Sequence, residues 1–287
     1  MFKSPSNSAN RVLTSLQNRA YASETEENFR WISSLLATRS KHVLSADDLV
    51  TDEEICRFVS DVGQYAELAH GSISPDFVFR NTLQLCQPGY PLEGYHALRQ
   101  DEPQFVQSFR GNVADLQGYS AFRSRTRQLV IAFSGTSTPS QTYRDLQAWM
   151  TTYPRDPRRS STHFGFWKLY QGVRQAAFDS ILIGFERHGG EVQEIVLTGH
   201  SMGCAMAFFL ALDLITGHRE DSPIPNGIPI SLVAFGSPRL ANEGLVKYWR
   251  QSLNSYREKF GPTAFQEYSL KGYNDGAHPP ISPSAPG

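Results

Sequence analysis

The chain has 287 residues, 40% of them hydrophobic, enough for one large core or for a domain with extensions. Its 27 basic and 28 acidic side chains leave a formal charge of −1, which argues against a nucleic-acid or anionic-membrane partner. Cys56, Cys86 and Cys204 are too few and too scattered for a disulfide framework or a zinc site.

The N-terminus, MFKSPSNSANRVLTSLQ, has no apolar run long enough for a signal-peptide core, and no stretch approaches the roughly 20 apolar residues of a transmembrane segment. That predicts a cytoplasmic protein, or a secreted one if the N-terminus is mis-assigned. Residues 1–50 read as a flexible or partly helical extension. A capping box at Ser23 and Glu26 there precedes Phe29, Ile32, Leu35 and Leu36 at helical spacing. Thr51 with Glu54 opens a stronger helix, with Ile55, Phe58, Val59, Val62, Ala66 and Ala69 on one face and Gly71 as its stop.

Pro/Gly-rich text at 87–103 reads as a loop. Strand texture follows in FVQSFR, LQGYSAF and RQLVIAFSG, the last a continuous apolar run suited to burial on both faces. Residues 138–150 carry Tyr143, Leu146 and Met150 at helical spacing, and the basic run RDPRR at 155–159 reads as a solvated loop. A long helix from about 166 to 187 leads to two more buried strands, EIVLTG and PISLVAFGSPR, separated by a helix. A helix around 242–256 and a strand at FQEYSLKG complete the alternation. The strands are placed at 128–134, 194–199, 230–236 and 265–271. The expected class is α/β, a mostly parallel central sheet flanked by helices, over a domain at 51–276 with a disordered Pro/Ser-rich tail at 277–287.

Gly199, Ser201 and Gly203 form a Gly-x-Ser-x-Gly between a buried strand and a run of helix formers. That context suits a nucleophile elbow, where the turn leaves no room for a Cβ on either side of the serine. The bland alternative is a strand–turn–helix crossover with a serine N-cap. The helix N-terminus would set oriented amides near a developing oxyanion, the backbone N–H of Met202 among them. Thr136, after the strand and Gly135, offers an amide and a hydroxyl as the second donor. Cys204, inside the apolar run, reads as a small buried hydrophobe. Asp275 lies just past the last strand, at the edge where α/β sheets collect functional groups, although an Asn-Asp-Gly turn explains it equally simply.

VIAFSGT, HFGFWKLYQ, VLTGHSMGCAMA, AFGSPRLAN and YSLKGYNDG occur in the order and spacing of the class 3 (fungal) lipase family, which the chain resembles from Ala66 to Gly276. The resemblance implies an α/β-hydrolase fold and a serine hydrolase of acyl-lipid carboxylic esters, triacylglycerol-type, met at a lipid–water interface, with no cofactor or metal. It assigns Ser201 as nucleophile, Thr136 and Met202 as the oxyanion hole, Asp275 as the triad carboxylate and residues 138–150 as the lid. Ser134 stands where many members carry Arg.

Such hydrolases order their triad Ser, Asp, His. Only twelve residues follow Asp275, with His278 as their sole histidine, so the family's catalytic His is expected to be missing through C-terminal truncation. His278 is the candidate substitute base. His163 and His200 read as structural, and His42, His70, His96, His188 and His218 as surface or loop residues. The rival expectation is an inactive fragment or pseudoenzyme that serves as an acyl-binding or interaction module.

Overall fold

The computed structural model describes residues 52–71, 73–113, 116–135, 149–217 and 224–270. Arg57–Leu270 form one compact unit. The helix expected after Ser23 and the tail at 277–287 lie outside the described residues.

Helix α1 spans Glu53–Leu68 and buries Val62, Tyr65 and Ala66. Its cap is Asp52, one residue beyond the expected Thr51: Asp52 Oδ1 accepts from the backbone N–H groups of Glu54 at 2.9 Å and Ile55 at 3.0 Å. Three short helices follow, α2 (Pro75–Arg80), α3 (Thr82–Leu85) and α4 (His96–Asp101). The last interrupts text expected to be loop. Its helicity comes from tertiary bonds: the Ala97 N–H donates to Gln64 Oε1 at 3.0 Å, and His96 Nε2 lies 2.9 Å from Asp61.

The main sheet contains β1 (Gln104–Arg110), β2 (Gln117–Arg123), β3 (Gln128–Phe133), β6 (Glu194–His200), β7 (Ile230–Phe235) and β8 (Phe265–Leu270), side by side in that order. The first two pairings are antiparallel and the last three parallel. A separate ribbon joins β4 (Met150–Thr152) to β5 (Ser161–His163). All six residues of β3 are buried, as its unbroken apolar run requires. Helices α5 (Phe164–His188), α6 (Met202–Thr216) and α7 (Glu243–Phe260) contribute to one apolar core with β3, β6 and β7. Helix α6 is apolar nearly all round and correspondingly buried.

Alternation along β2 assigns the layers. Ser120 bonds Ser180 of α5 and Phe122 stacks on His188 of α5, while Tyr119 donates to the Tyr65 carbonyl of α1 at 2.7 Å. The sheet therefore lies between α1 and α5. Facing α1 is Arg123, 1% exposed. Its Nε donates to Asp101 at 2.6 Å, its Nη2 to Asp61 at 3.0 Å and its Nη1 to Gln128 at 2.8 Å. Gln128 passes the chain on to Glu194 at 2.6 Å. These bonds tie α1, α4, β2, β3 and β6 together at the end of the parallel strands where β3 and β6 begin.

Replacing Arg123 with Ala strands Asp61 and Asp101 without their buried counter-charge. Urea denaturation of Arg123→Ala should show a loss of about 3–5 kcal/mol. An unchanged midpoint would show that the network contributes nothing net to stability.

Candidate active site

Ser201 occupies the turn between β6 and α6 with φ 53° and ψ −117°, a conformation costly for any residue with a Cβ. It is 7% exposed. Its N–H donates to the Phe235 carbonyl of β7 at 2.9 Å, and its carbonyl accepts from the Cys204 N–H at 3.1 Å. Sequence context predicted this place in the fold, and the strained backbone distinguishes it from a plain serine N-cap.

The flanking glycines are sterically required. A Cβ on Gly199 would lie 2.5 Å from the Gly203 carbonyl carbon, and one on Gly203 would lie 2.4 Å from the Phe133 carbonyl oxygen. Backbone thus packs on backbone from β6 to the head of α6 and on to the end of β3. Cys204 is buried as expected, and its thiol also donates to the Gly199 carbonyl at 2.9 Å and the Phe235 carbonyl at 3.1 Å. Met202, 3% exposed, begins α6. In the first turn of a helix its N–H has no carbonyl one turn back to bond, so it is free to meet a developing negative charge.

Ser134 stands between β3 and Gly135 and extends the β2–β3 pairing. Its N–H donates to the Gln117 carbonyl at 2.8 Å and its Oγ accepts from the Gln117 N–H at 3.0 Å. A small hydroxyl residue is therefore adequate at this position. The Gly135 N–H donates to His70 Nε2 at 3.0 Å. Thr136, Asp275 and His278, like Tyr143 and Leu146, lie outside the described residues. Met150 does not continue a helix from them: it starts β4, and with Trp149 it is strongly exposed. The ribbon partner β5 supplies the pairing that draws it into a strand.

The histidines divide differently from the sequence reading. His163 is structural as expected: it is buried, precedes α5 and packs its ring 4.6 Å from Phe166. Burial lowers its pKa, and its Nδ1 has no hydrogen-bond partner. His96 is no loop residue but part of the Asp61 network, and His188 stacks on Phe122 at 4.2 Å. His70 is the exposed turn residue that sequence reasoning placed, but the contact it makes is one that reasoning missed. It reaches the loop after β3 and meets His200 edge-on at 5.2 Å. No local signal announces it, because 65 residues separate it from Gly135.

Residues 130–259 match the family described as lipase (class 3). That segment is similar to the class 3 lipase family. Within the chain, 110 residues are 29% identical to the chloroplastic galactolipase DONGLE of Arabidopsis thaliana, over 33% of this chain and 22% of that protein. Another 132-residue match is 26% identical to phospholipase A1-II 2 of Oryza sativa subsp. indica, over 40% and 33%. The chain thus spans a third or less of these curated relatives. Among solved structures, a triacylglycerol lipase whose catalytic centre is a serine-protease triad superposes with a TM-score of 0.56 at 19% identity, covering 76% of this chain and 71% of that one. The triacylglyceride lipase of Rhizomucor miehei gives 0.53 at 19%, covering 71% and 69%. The chain therefore has an α/β-hydrolase-type fold, as expected.

Ser201→Gly should relieve the strained turn and raise stability by about 1–2 kcal/mol. Gly203→Ala should lower it by about 1–3 kcal/mol by forcing α6 off the end of β3. Thermal denaturation of the two variants checks both signs. A Ser201→Gly protein no more stable than the parent would show that the turn stores no strain.

Proposed function

We propose that the chain hydrolyses carboxylic esters of acyl lipids through Ser201. The observation that carries this reading is the strained, buried serine at the strand–helix turn, a conformation that persists only where surrounding structure enforces it. In this reading Ser201 Oγ attacks the ester carbonyl, and the Met202 N–H and Thr136 hold the oxyanion. The ester oxygen then leaves as the alcohol, and water releases the acid.

Asp275 is assigned to orient the base. Strand β8 runs parallel to β7 and β6, so its last residue, Leu270, lies on the sheet edge that carries Ser201, and its carbonyl accepts from the Gly236 N–H at 2.8 Å. Two strand spacings come to about 10 Å, and the five residues from Leu270 to Asp275 can extend roughly 17 Å, so the carboxylate is within chain reach of the serine. The family's catalytic His has no counterpart among the motifs that match, and His278 is the candidate substitute to accept the serine proton. The substrate class rests on the relatives: one named as a galactolipase and one as a phospholipase A1, with structural neighbours named as triacylglycerol lipases. A carboxylic ester of an acyl lipid is the chemistry these names share.

Fatty-acid release is measured from emulsified triacylglycerol and from galactolipid and phosphatidylcholine vesicles. Ser201→Ala should fall to buffer background, and a parallel fall in His278→Ala would make His278 the base. Thr136→Val should lower kcat on the order of 10²-fold. Release by Ser201→Ala at the parent rate would sink the reading. Vesicle binding by the parent chain with release no greater than that of Ser201→Ala would instead establish an acyl-binding module.

A further inference from the structure

We infer that His70 is a positioning residue for the turn after β3, holding the Gly135 amide in place against the Ser201 elbow. Its bearing on turnover rests on the proposed ester hydrolysis. The contact itself does not.

Four observations converge on this contact. Gly135 N–H donates to His70 Nε2 at 3.0 Å, which assigns that nitrogen as an acceptor and the ring as a neutral imidazole carrying its proton on Nδ1. Gly135 has no spare volume on that side: a Cβ there would lie 2.4 Å from His70 Cε1 and 2.8 Å from the His200 carbonyl oxygen. His70 is itself anchored, because its N–H donates to the Glu67 carbonyl at 2.9 Å in the turn that closes the packed helix α1. The residue before Gly135 is bonded in turn to Gln117 of β2 through both backbone and side chain.

The loop is thus held from two sides, by β2 through Ser134 and by α1 through His70. Gly203, two residues past the nucleophile, packs on the same Phe133–Ser134 carbonyls. A shift of Gly135 therefore cannot leave the elbow undisturbed, and it would move the start of the segment that carries Thr136.

The bond requires neutral His70. Among the described residues, the titratable groups that face it are His200 from the end of β6 and Glu67 of α1. Although the residue remains exposed, partial desolvation and then His200 lower its pKa from the ordinary value, and Glu67 opposes them. A histidine whose folded pKa is depressed stabilises the fold above its unfolded pKa of about 6.5, and that contribution is lost as pH falls towards the folded pKa. Protonation converts Nε2 from acceptor to donor, so it would face the Gly135 N–H as a second donor.

The test uses the full chain, ¹⁵N-labelled, with the variants His70→Gln and His70→Leu. Gln offers an uncharged acceptor near the Nε2 position and does not titrate, whereas Leu offers none. The Gly135 amide shift should follow the His70 ring titration, with its inflection below pH 6.5, and should stop titrating in His70→Gln. With p-nitrophenyl butyrate as probe, kcat of His70→Leu should fall about tenfold with KM changed less than about twofold, because an oxyanion donor acts in the transition state alone. His70→Gln should recover most of kcat and lose the acid limb that His70 contributes. A Gly135 amide indifferent to the His70 titration would overturn the inference, as would parental kcat and pH profile in His70→Leu. If Ser201→Ala matched the parent, the nucleophile assignment would fall, while the amide titration would still decide the role of His70. That titration is read on the parent chain and does not depend on either variant folding.

Discussion

At the end of β6 the backbone passes so close to its neighbours that there is no space for a methyl group at Gly199 or Gly203. This close approach is the constraint on which the candidate site depends. It lets α6 start directly against the end of β3, and it forces Ser201 into a positive φ. The serine is left at the rim of the sheet with its neighbouring amides fixed by strand and helix. Such an arrangement confines the hydroxyl to one small region of space, as a nucleophile requires.

The parallel register extends that edge sideways. Phe133 pairs with Gly199, His200 with Phe235, and Phe235 with Leu270, so four strands end in a row. The opposite end of the strands is held by charge. Arg123, Asp61, Asp101, Gln128 and Glu194 form a chain of bonds where β3 and β6 begin. Strain and open amides lie at one end and satisfied polar groups at the other. The separation allows the turn to be strained without weakening the polar anchor, which shares no side chain with it.

The two kinds of relative inform different levels. The plant lipid hydrolases match in sequence over 33% and 40% of the chain, whereas the triacylglycerol lipase structures match over 76% and 71% of it in backbone. In general the loops around a site can change while the scaffold stays constant.

Hydrophobic patterning determined the strands of the main sheet and the four long helices, because buried strands and buried helices leave their periods in the chain. The elbow was legible for a related reason: two glycines around a serine record a steric exclusion within five residues. Residues brought together from afar left no such record. Helix α4 forms because Asp61, Gln64 and Arg123 bond it, and nothing within its own six residues says so. Asp52 took the cap from Thr51 through side-chain geometry, and Met150 joined a strand because β5 pairs with it. His70 is the clearest case. By sequence it is an unremarked residue after a helix, and only folding sets its Nε2 against the Gly135 amide. Contacts of long sequence separation are chosen by packing, and packing exists only once the chain has folded.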